Sequence, residues 1–414
     1  MSKEITIVVG CVDKYAMAWP MMKHGLEKYW KDRNWDIVFI TNEKGFYDYP
    51  TIKVGPDESW SKTIRKGLEQ VDSEFILWMM EDYWLTGPVD NKALNDMLDI
   101  MKKDKLDHIR ILAPANAEGT IIPEMELECP YENAPEELGL WYFTPIAEYR
   151  ASLATSIWRK EVIMKCLVDG TTPWQFEADA GVASRGNNKH LCTIRTDVVS
   201  WPWRTNPHND CLSSPIRKGM WTEAAYKYVD YEGLDEDLSL WPNGARVSNN
   251  IRARVRDWMY IGKDTIIDDF SYFSVRMEIG KKCHIASGVS IAGGRDMLFK
   301  MGDYCSISSG VKIWCASNDF VNDLVVIDHP KDGWRDCRGD VHVGNYCAIG
   351  TNTVIMPGVR IPEGTVIGGM SWVPFKFPLE PWSVYAGIGK NFKKIKDRNK
   401  EKVLNQVKRL EENE

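Results

Sequence analysis

The strongest constraint in this sequence is an aliphatic residue that returns at every sixth position over the C-terminal third. Three runs keep the spacing: Ile261, Ile267, Phe273, Ile279, Ile285 and Ile291; Met301, Ile307 and Ile313; and Val343, Ile349, Ile355, Ile361, Ile367 and Val373. Neither an α-helix nor an alternating strand has a period of six. A solenoid with three short flat sides per turn does, because each six-residue unit then places one aliphatic side chain inside.

The residue after the aliphatic position is usually small, as at Gly262, Gly280 and Gly344. A small residue permits a tight corner between two flat sides. A short insertion at residues 292–300 and a long one at residues 314–342 interrupt the repeat. Long loops that leave a rigid scaffold usually have a functional or lid-like role, and we expect such a role for the second insertion.

The repeat region of the sequence resembles a known family. Residues 344–369 are similar to the last coils of hexapeptide-repeat sugar acetyltransferases, which form a left-handed parallel β-helix. Residues 381–387, followed by residues 393–395, resemble the exit segment of that fold. The resemblance covers about residues 259–398. It implies acetyl-CoA as the donor, a homotrimer, and active sites between neighbouring subunits.

Acyl transfer needs a general base near the acceptor and hydrogen-bond donors for the oxyanion. The resemblance implies a histidine on the coil or its loop. The usual coil position lies within residues 314–320, which contain no histidine. A subset of sugar O-acetyltransferases has an acidic-aromatic motif similar to residues 318–320 here, which places Asp319 in the site.

Three histidines remain as candidates for the base. We expect His329, in the long insertion, to take this role, with Asp328 or Asp319 orienting its ring. His284 lies inside a repeat unit and is the alternative, facing the cleft of a neighbouring subunit. His342 borders the third run and is expected to be structural.

Coenzyme A has a pantetheine arm and phosphates for the protein to bind. The resemblance implies backbone contacts to the arm and lysine contacts to the 3′-phosphate. The candidate residues are Gly368, Gly369, Ser371, Lys393, Lys394 and Lys396. A solvated helix face is the alternative for the distal lysines. The spacing of Val403, Val407 and Leu410 predicts a short amphipathic helix that docks on the trimer.

The N-terminal half has a different pattern. Apolar runs at residues 4–10, 36–41 and 74–80 predict strands, and helices are expected at residues 18–31 and 61–71. This alternation predicts an α/β sheet. The sequence contains no Gly-x-Gly-x-x-Gly or phosphate-loop motif, which weighs against a Rossmann dehydrogenase and a nucleotide hydrolase.

The third predicted strand ends at Glu81 and Asp82. An α/β sheet binds its ligand at the carboxyl ends of its strands. Two carboxylates there suit Mg²⁺ or Mn²⁺ bridging a diphosphate, which would make both residues metal ligands. The competing interpretation is a pair of ordinary surface acids.

This arrangement is similar to that of GT-A-type glycosyltransferases from bacterial polysaccharide loci, which use a nucleotide sugar. Residues 60–61 and 152–158 also resemble members of this class, and residues 173–179 are similar to its later acidic motif. The resemblance implies Glu177 as the base that deprotonates the acceptor, with Asp179 as the alternative. Both could instead be acids placed near a helix start by the dipole.

The sequence therefore predicts two domains. A GT-A-like α/β domain occupies residues 1–245, residues 218–258 form the connection, and an all-β left-handed β-helix with a basic helical tail occupies residues 259–414. We expect a bifunctional enzyme of surface-polysaccharide (capsule or lipopolysaccharide) synthesis, performing glycosyl and acetyl transfer. The alternatives are an acetyltransferase with an N-terminal glycan-binding module, an inactive trimeric scaffold, or a donor with another acyl group.

Composition adds limits on partners and location. The 414 residues are 44% hydrophobic and 27% charged, with a net charge of -7, which weighs against nucleic acid as a partner. The first residues lack a signal-peptide layout, and no apolar run approaches the length of a membrane span. The ten cysteines lack a paired motif. We expect a cytoplasmic protein, and a lipid-linked glycan acceptor would bring it to the inner membrane face.

Overall fold

The computed structural model divides the chain into two compact units. It describes residues 3–111, 127–144, 147, 150–184, 189–195, 197–199, 215–217, 219–236, 238–254, 256–318 and 336–412. The first unit comprises residues 1–217 with 223–234, and the second comprises residues 218–222 with 235–414. Among the described residues, none of the helices has the length and the apolar character of a membrane span.

The first unit is built on a mixed nine-stranded sheet of order β3-β2-β1-β4-β8-β5-β9-β7-β6. Its strands are β1 Lys3–Gly10, β2 Asp36–Thr41, β3 Thr51–Lys53, β4 Ser73–Met80, β5 His108–Arg110, β6 Leu127–Pro130, β7 Leu140–Phe143, β8 Ser156–Arg159 and β9 His190–Thr193. Strands β1 to β4 are parallel, whereas β8 runs antiparallel to β4 and β5. The predicted strands at residues 4–10, 36–41 and 74–80 are β1, β2 and β4.

Helices cover the sheet of the first unit. They are α1 Trp19–Tyr29, α2 Trp60–Leu68, α3 Asn91–Lys103, α4 Lys160–Cys166, α5 Pro173–Ala183 and α6 Glu223–Glu232, with 3₁₀ turns at Asp13–Ala18 and Glu136–Leu138. Side chains of Ser59, Asp90 and Thr172 cap α2, α3 and α5 by accepting backbone N–H groups of the first turn. The buried faces of α2 and α5 pack with Trp78 and Trp158 of the sheet in one apolar cluster.

The second unit is a three-sided parallel β-helix. Its first sheet contains β12 Arg246–Val247, β15 Ile266–Ile267, β18 His284–Ile285, β21 Ser306–Ile307, β26 Ala348–Ile349, β29 Val366–Ile367, β31 Ser383–Ala386 and β32 Lys393–Asp397. Its second sheet contains β13 Arg252–Ala253, β16 Tyr272–Phe273, β19 Ser290–Ala292, β22 Lys312–Trp314, β27 Val354–Ile355 and β30 Trp372–Val373. Its third sheet contains β14 Met259–Ile261, β17 Arg276–Ile279, β20 Leu298–Met301, β25 Val341–Val343 and β28 Arg360–Ile361.

All fifteen aliphatic or aromatic residues of the six-residue repeat are buried inside the coils, none more than 5% exposed. This confirms the all-β interpretation of the repeat. The remaining elements are β10 Ile216–Arg217, β11 Met220–Trp221, a hairpin of β23 Ala316–Asn318 and β24 Asp336–Arg338, the helix α7 Lys400–Glu411, and 3₁₀ turns at Arg256–Trp258 and Gly389–Asn391.

Residues 218–258, which the sequence indicated as a connection, belong to both units. Helix α6 of this stretch lies in the first unit, where Glu232 binds His24 and Lys28 of α1. Strands β12 and β13 already pair in register with β15 and β16. The β-helix therefore begins before residue 259, in a stretch whose polar composition hid the repeat.

Candidate active site

The two insertions of the repeat leave the β-helix at the same corner, between its second and third sheets. Arg338 of the hairpin forms an ion pair with Asp296 of the short insertion. The backbone N–H of Leu298 donates to Asp340 at 2.9 Å. These two contacts join the insertions near the points where they leave and rejoin the β-helix. The predicted base His329 and its partners Asp319 and Asp328 lie outside the described residues.

His284 lies on the outer face of β18, in the first sheet. Its Nε2 is 2.8 Å from Oδ2 of Asp268, and the two side chains are 47% and 42% exposed. Because β15 and β18 pair in parallel register, Asp268 follows the strand directly beside that of His284. The sequence reasoning missed Asp268. The spacing of one coil, which pairs Ile266 with His284, was the signal that could have found it.

A groove of about 440 Å³ runs between this face and helix α7. Its walls include His284 and Ser306 of the first sheet, Tyr304 and Tyr346 at the corner beside it, and Val403, Gln406, Val407 and Leu410 of α7. Glu411 holds the helix in place by accepting from Lys281 at 3.0 Å and from Tyr304 at 2.9 Å. The predicted amphipathic helix therefore lies against the β-helix of its own chain.

His342, expected to be structural, lies between two buried valines on β25 and is half-buried. Burial and, secondarily, the charge of Arg360 lower its pKa. The imidazole is therefore held towards its neutral form.

The predicted pantetheine residues lie at the corner between β29 and β30. A side chain at Gly368 would lie 3.1 Å from Ala386, and one at Gly369 would lie 3.3 Å from the carbonyl oxygen of Thr351. The hydroxyl of Ser371 faces into the coil, is buried, and accepts the backbone N–H of Gly387 at 3.2 Å. Any contact of Ser371 with a ligand outside the coil is therefore limited to its backbone.

The predicted phosphate-binding lysines lie on β32, the exposed last strand of the first sheet. Lys394 forms ion pairs with Glu380 and Asp397, both at 2.7 Å, and the hydrogen bonds to them raise its pKa. Lys393 and Lys396 are exposed. Lys393 and Lys396, which take no part in these ion pairs, are therefore better placed than Lys394 to meet an added phosphate.

In the first unit, the chain adds β2 and β3 on one side of β1 and then returns to place β4 on the other side, so the strand order reverses between β1 and β4. The carboxyl ends of β1 and β4 meet there, with Gly10 beside Met80. A crevice at such a switch point is where open α/β sheets bind ligands. Glu81 and Asp82 follow β4 at this position, as the sequence predicted.

The two acids at this crevice differ in environment. Glu81 is buried, accepts a hydrogen bond from the backbone of Val12, and has its pKa raised to about 8 by burial and by the charge of Asp82. It is therefore largely protonated at neutral pH and a poor cation ligand in this state. Asp82 is half-buried. The described residues contain no group of three or more metal-ligating side chains.

The second acidic motif lies on α5. Oε1 of Glu177 accepts from the hydroxyl of Ser152 at 2.8 Å and from the backbone N–H of Leu153 at 2.7 Å. This carboxylate orders the turn that leads into β8. Asp179 is exposed on the same helix. Glu177 is the fifth and Asp179 the seventh residue of this eleven-residue helix, so neither lies in the first turn that the Thr172 side chain caps.

A larger cleft of about 950 Å³ in the first unit is lined by charged residues, including Lys31 and Arg33, and by the ring of Tyr49. None of the predicted site residues lines it. Lys3 and Asp36, which also line it, pair with each other at 2.6 Å. Its size alone therefore identifies no chemistry.

No protein-family model matches this chain. The chain is 32% identical over 151 residues to the dTDP-4-amino-4,6-dideoxy-D-glucose acyltransferase of Escherichia coli, covering 35% of this chain and 74% of that enzyme. It is 29% identical over 107 residues to a chloramphenicol acetyltransferase of Agrobacterium fabrum, covering 23% of this chain and 49% of that protein.

Solved structures include similar chains. AntD, an N-acyltransferase from Bacillus cereus in complex with dTDP and 3-hydroxybutyryl-CoA, is 30% identical, with a TM-score of 0.37 over 41% of this chain and 87% of that one. A maltose O-acetyltransferase from Clostridium difficile is 19% identical, with a TM-score of 0.25 over 34% of this chain and 70% of that one.

Proposed function

The chain belongs to the family of acyltransferases that contains the dTDP-4-amino-4,6-dideoxy-D-glucose acyltransferase of Escherichia coli, and we propose that it transfers an acyl group from acyl-CoA to a sugar amine or hydroxyl. The observation that carries this proposal is the 32% identity over 151 residues to that enzyme. The repeat is intact, with every inward aliphatic position buried, so the scaffold that supports such sites is present.

In the proposed reaction, the acceptor nitrogen or oxygen attacks the thioester carbonyl carbon of acyl-CoA. A histidine takes the proton of the acceptor as the new bond forms, and the C–S bond breaks to release coenzyme A as its thiol. The candidate bases are His329 and His284. The acceptor is a sugar carried on a nucleotide, as in the name of the Escherichia coli relative.

A direct assay tests this proposal. The full chain is incubated with acetyl-CoA and dTDP-4-amino-4,6-dideoxy-D-glucose, and free thiol and acylated sugar are measured together. We expect thiol release that depends on the sugar. If a panel of nucleotide sugars and free sugars gives no release above hydrolysis with any acyl-CoA, the proposal is wrong and the inactive scaffold is favoured.

We also propose a second function for the first unit, the binding of a nucleotide sugar for glycosyl transfer. The supporting observation is the position of Glu81 and Asp82 at the switch point of the sheet. A divalent cation bound there would neutralise the diphosphate of the donor, with Asp82 and the ionised form of Glu81 as its ligands. Glu177 and Asp179 stay the candidate bases.

Binding separates glycosyl transfer from the alternative of a glycan-binding module. Titration of the full chain with UDP-sugars and dTDP-sugars, with and without Mn²⁺, should show metal-dependent binding that Asp82→Asn weakens. The same variant should leave acyl transfer unchanged, because the acid lies in the other unit. Binding of oligosaccharides without binding of any nucleotide sugar would favour the glycan-binding module instead.

A further inference from the structure

The groove between the first sheet and α7 combines three features that are not explained by packing. It holds a volume of about 440 Å³, enough for a hexose. One wall is an apolar helix face and the opposite wall presents polar groups. The histidine in it is already aligned by a carboxylate.

On the polar wall, His284 and Asp268 are arranged like a general base and the carboxylate that orients it. With Nε2 of His284 held by Asp268 at 2.8 Å, Nδ1 makes no hydrogen bond within the described residues. A carboxylate that holds one ring nitrogen fixes the tautomer and orientation, and it stabilises the imidazolium that forms when the other nitrogen takes a proton. Both side chains are nearly half exposed, so the dyad formed by His284 and Asp268 is accessible from solvent.

The apolar wall is held by contacts that are independent of the dyad. Arg398, just before α7, donates to the carbonyl oxygen of Gly364 at 3.0 Å, and Glu411 at the other end binds Lys281 and Tyr304. The helix is thus tied to the coils at both ends, while Val403 and Val407 between them face the groove. A groove with both ends of its cover fixed is suited to admit a ligand without rearrangement.

We propose that this groove is the acceptor site for acyl transfer, with His284 as the general base and Asp268 as its positioning residue. This inference rests on the proposed acyltransferase function. The sugar lies between α7 and the first sheet, with its amine or hydroxyl at Nδ1 of His284. Nδ1 takes the proton as the acceptor attacks the thioester carbon, and the proton later leaves on the coenzyme A thiolate.

The test compares kcat and KM of the full chain and its variants with acetyl-CoA and dTDP-4-amino-4,6-dideoxy-D-glucose. We expect His284→Ala to lower kcat by about 100-fold or more, with partial recovery on adding imidazole. Asp268→Asn should lower kcat by about 10- to 100-fold with little change in either KM, and Asp268→Glu should restore part of it. A purely structural role would not give imidazole rescue.

A matched control is available on another face of the β-helix. Glu278 and Lys300 form an ion pair at 2.7 Å between adjacent coils of the third sheet, just as Asp268 and His284 do in the first. Glu278→Gln should leave kcat and KM unchanged. A second variant, Val407→Trp, fills the groove from the helix side and should raise the KM for the sugar while leaving the KM for acetyl-CoA unchanged.

The outcomes distinguish the two levels of the proposal. If the wild-type protein transfers the acyl group but His284→Ala and Asp268→Asn retain kcat within about twofold, this groove is not the acceptor site and the acyltransferase function stands. If the wild-type protein transfers no acyl group to any acceptor, the function itself is wrong, and the inference falls with it.

Discussion

At the scale of single residues, a column of thiols and hydroxyls runs through the β-helix under one corner. Thr265, Cys283, Cys305, Cys347 and Thr365 occupy equivalent positions in successive coils and are buried. Each side chain donates to a backbone carbonyl oxygen of the next coil, at 2.8–3.1 Å. The three cysteines of this column thus act as small hydrogen-bonding core residues.

The centre of this column gives a stability prediction. Cys305 donates to the carbonyl oxygen of Gly344 and accepts the backbone N–H of Cys347. Cys305→Ala leaves both groups unsatisfied and should cost about 2 kcal/mol, whereas Cys305→Ser should cost less than about 1 kcal/mol because the hydroxyl replaces both bonds. Urea unfolding measures the difference, with the exposed Cys129→Ala as a control expected to change nothing. Equal losses for the two Cys305 variants would contradict the hydrogen-bonding role.

The buried histidines of the first unit predict a pH dependence of stability. Burial lowers the pKa of His190 to about 4, against about 6.5 in an unfolded chain. The ring of His108 is tilted against that of His190, with centroids 5.3 Å apart, and burial lowers the pKa of His108 as well. Between these pH values the unfolded chain binds more protons than the folded one, so stability falls as the pH drops from about 6.5 towards 4.

The variant His190→Phe tests this directly. Removing this group should reduce the pH slope of the unfolding free energy, and the difference between wild type and variant should change by up to about 3 kcal/mol between pH 7 and pH 4. Urea unfolding of the full chain, monitored in steps of pH, measures it. An unchanged slope would show that His190 does not control the acid sensitivity of the unit.

At the scale of elements, the corners of the β-helix depend on glycine for two different reasons. A side-chain carbon at Gly280 would lie 2.6 Å from the backbone carbon of Gly302 in the next coil. Gly288 has open space, its nearest neighbour lying 4.0 Å away, but its φ is +71°. The first glycine is required by the approach of the backbones, and the second by the turn itself.

The two glycines should therefore respond differently to substitution. Gly280→Ala should destabilise the β-helix by about 3 kcal/mol, because backbone cannot move aside without breaking the coil register. Gly288→Ala should cost about 1 kcal/mol, the strain of a left-handed conformation alone. Thermal unfolding of the two variants beside wild type gives the comparison. A larger loss at Gly288 would mean that turn strain, not coil spacing, limits the stack.

At the scale of the whole molecule, the sequence resemblance predicts a homotrimer, and two exposed apolar side chains of the second unit offer a place to test it. Phe270 and Met370 are 76% and 65% exposed at the corner between the first and second sheets. The two side chains lie towards opposite ends of this corner, because three strands of the first sheet separate β15 from β29. The homotrimer stays a prediction of the sequence resemblance, and a charge at this corner tests it.

The mass of the full chain in solution tests the proposal. We expect a mass three times the 47.5 kDa of the chain by light scattering. Met370→Lys should shift the population towards the monomer, because it places a charge in an apolar contact. Val182→Lys, at a residue 57% exposed on the first unit, is the matched control and should leave the mass unchanged. A monomeric wild type would overturn the proposed association.

The sequence by itself determined the repeat, the burial of all its inward positions and the first strands of the α/β unit. These features follow from a regular pattern in the sequence, because every repeat unit packs against equivalent units in the coils before and after it. It also identified His284, Glu81 and Glu177 as chemically notable residues. It could not rank them, since their roles depend on groups that are distant along the chain or on burial.

Only the tertiary structure supplied the partners and the burial of these residues. Stacking of adjacent coils brings Asp268 to His284, and folding of α7 back onto the first sheet makes the groove beside them. Burial raises the pKa of Glu81, and the turn before β8 donates hydrogen bonds to the carboxylate of Glu177. The six-residue period predicts which side chains point into the coil, because every coil has the same inward positions. The environment of an outward side chain depends instead on the element that folds against it, which the period does not specify.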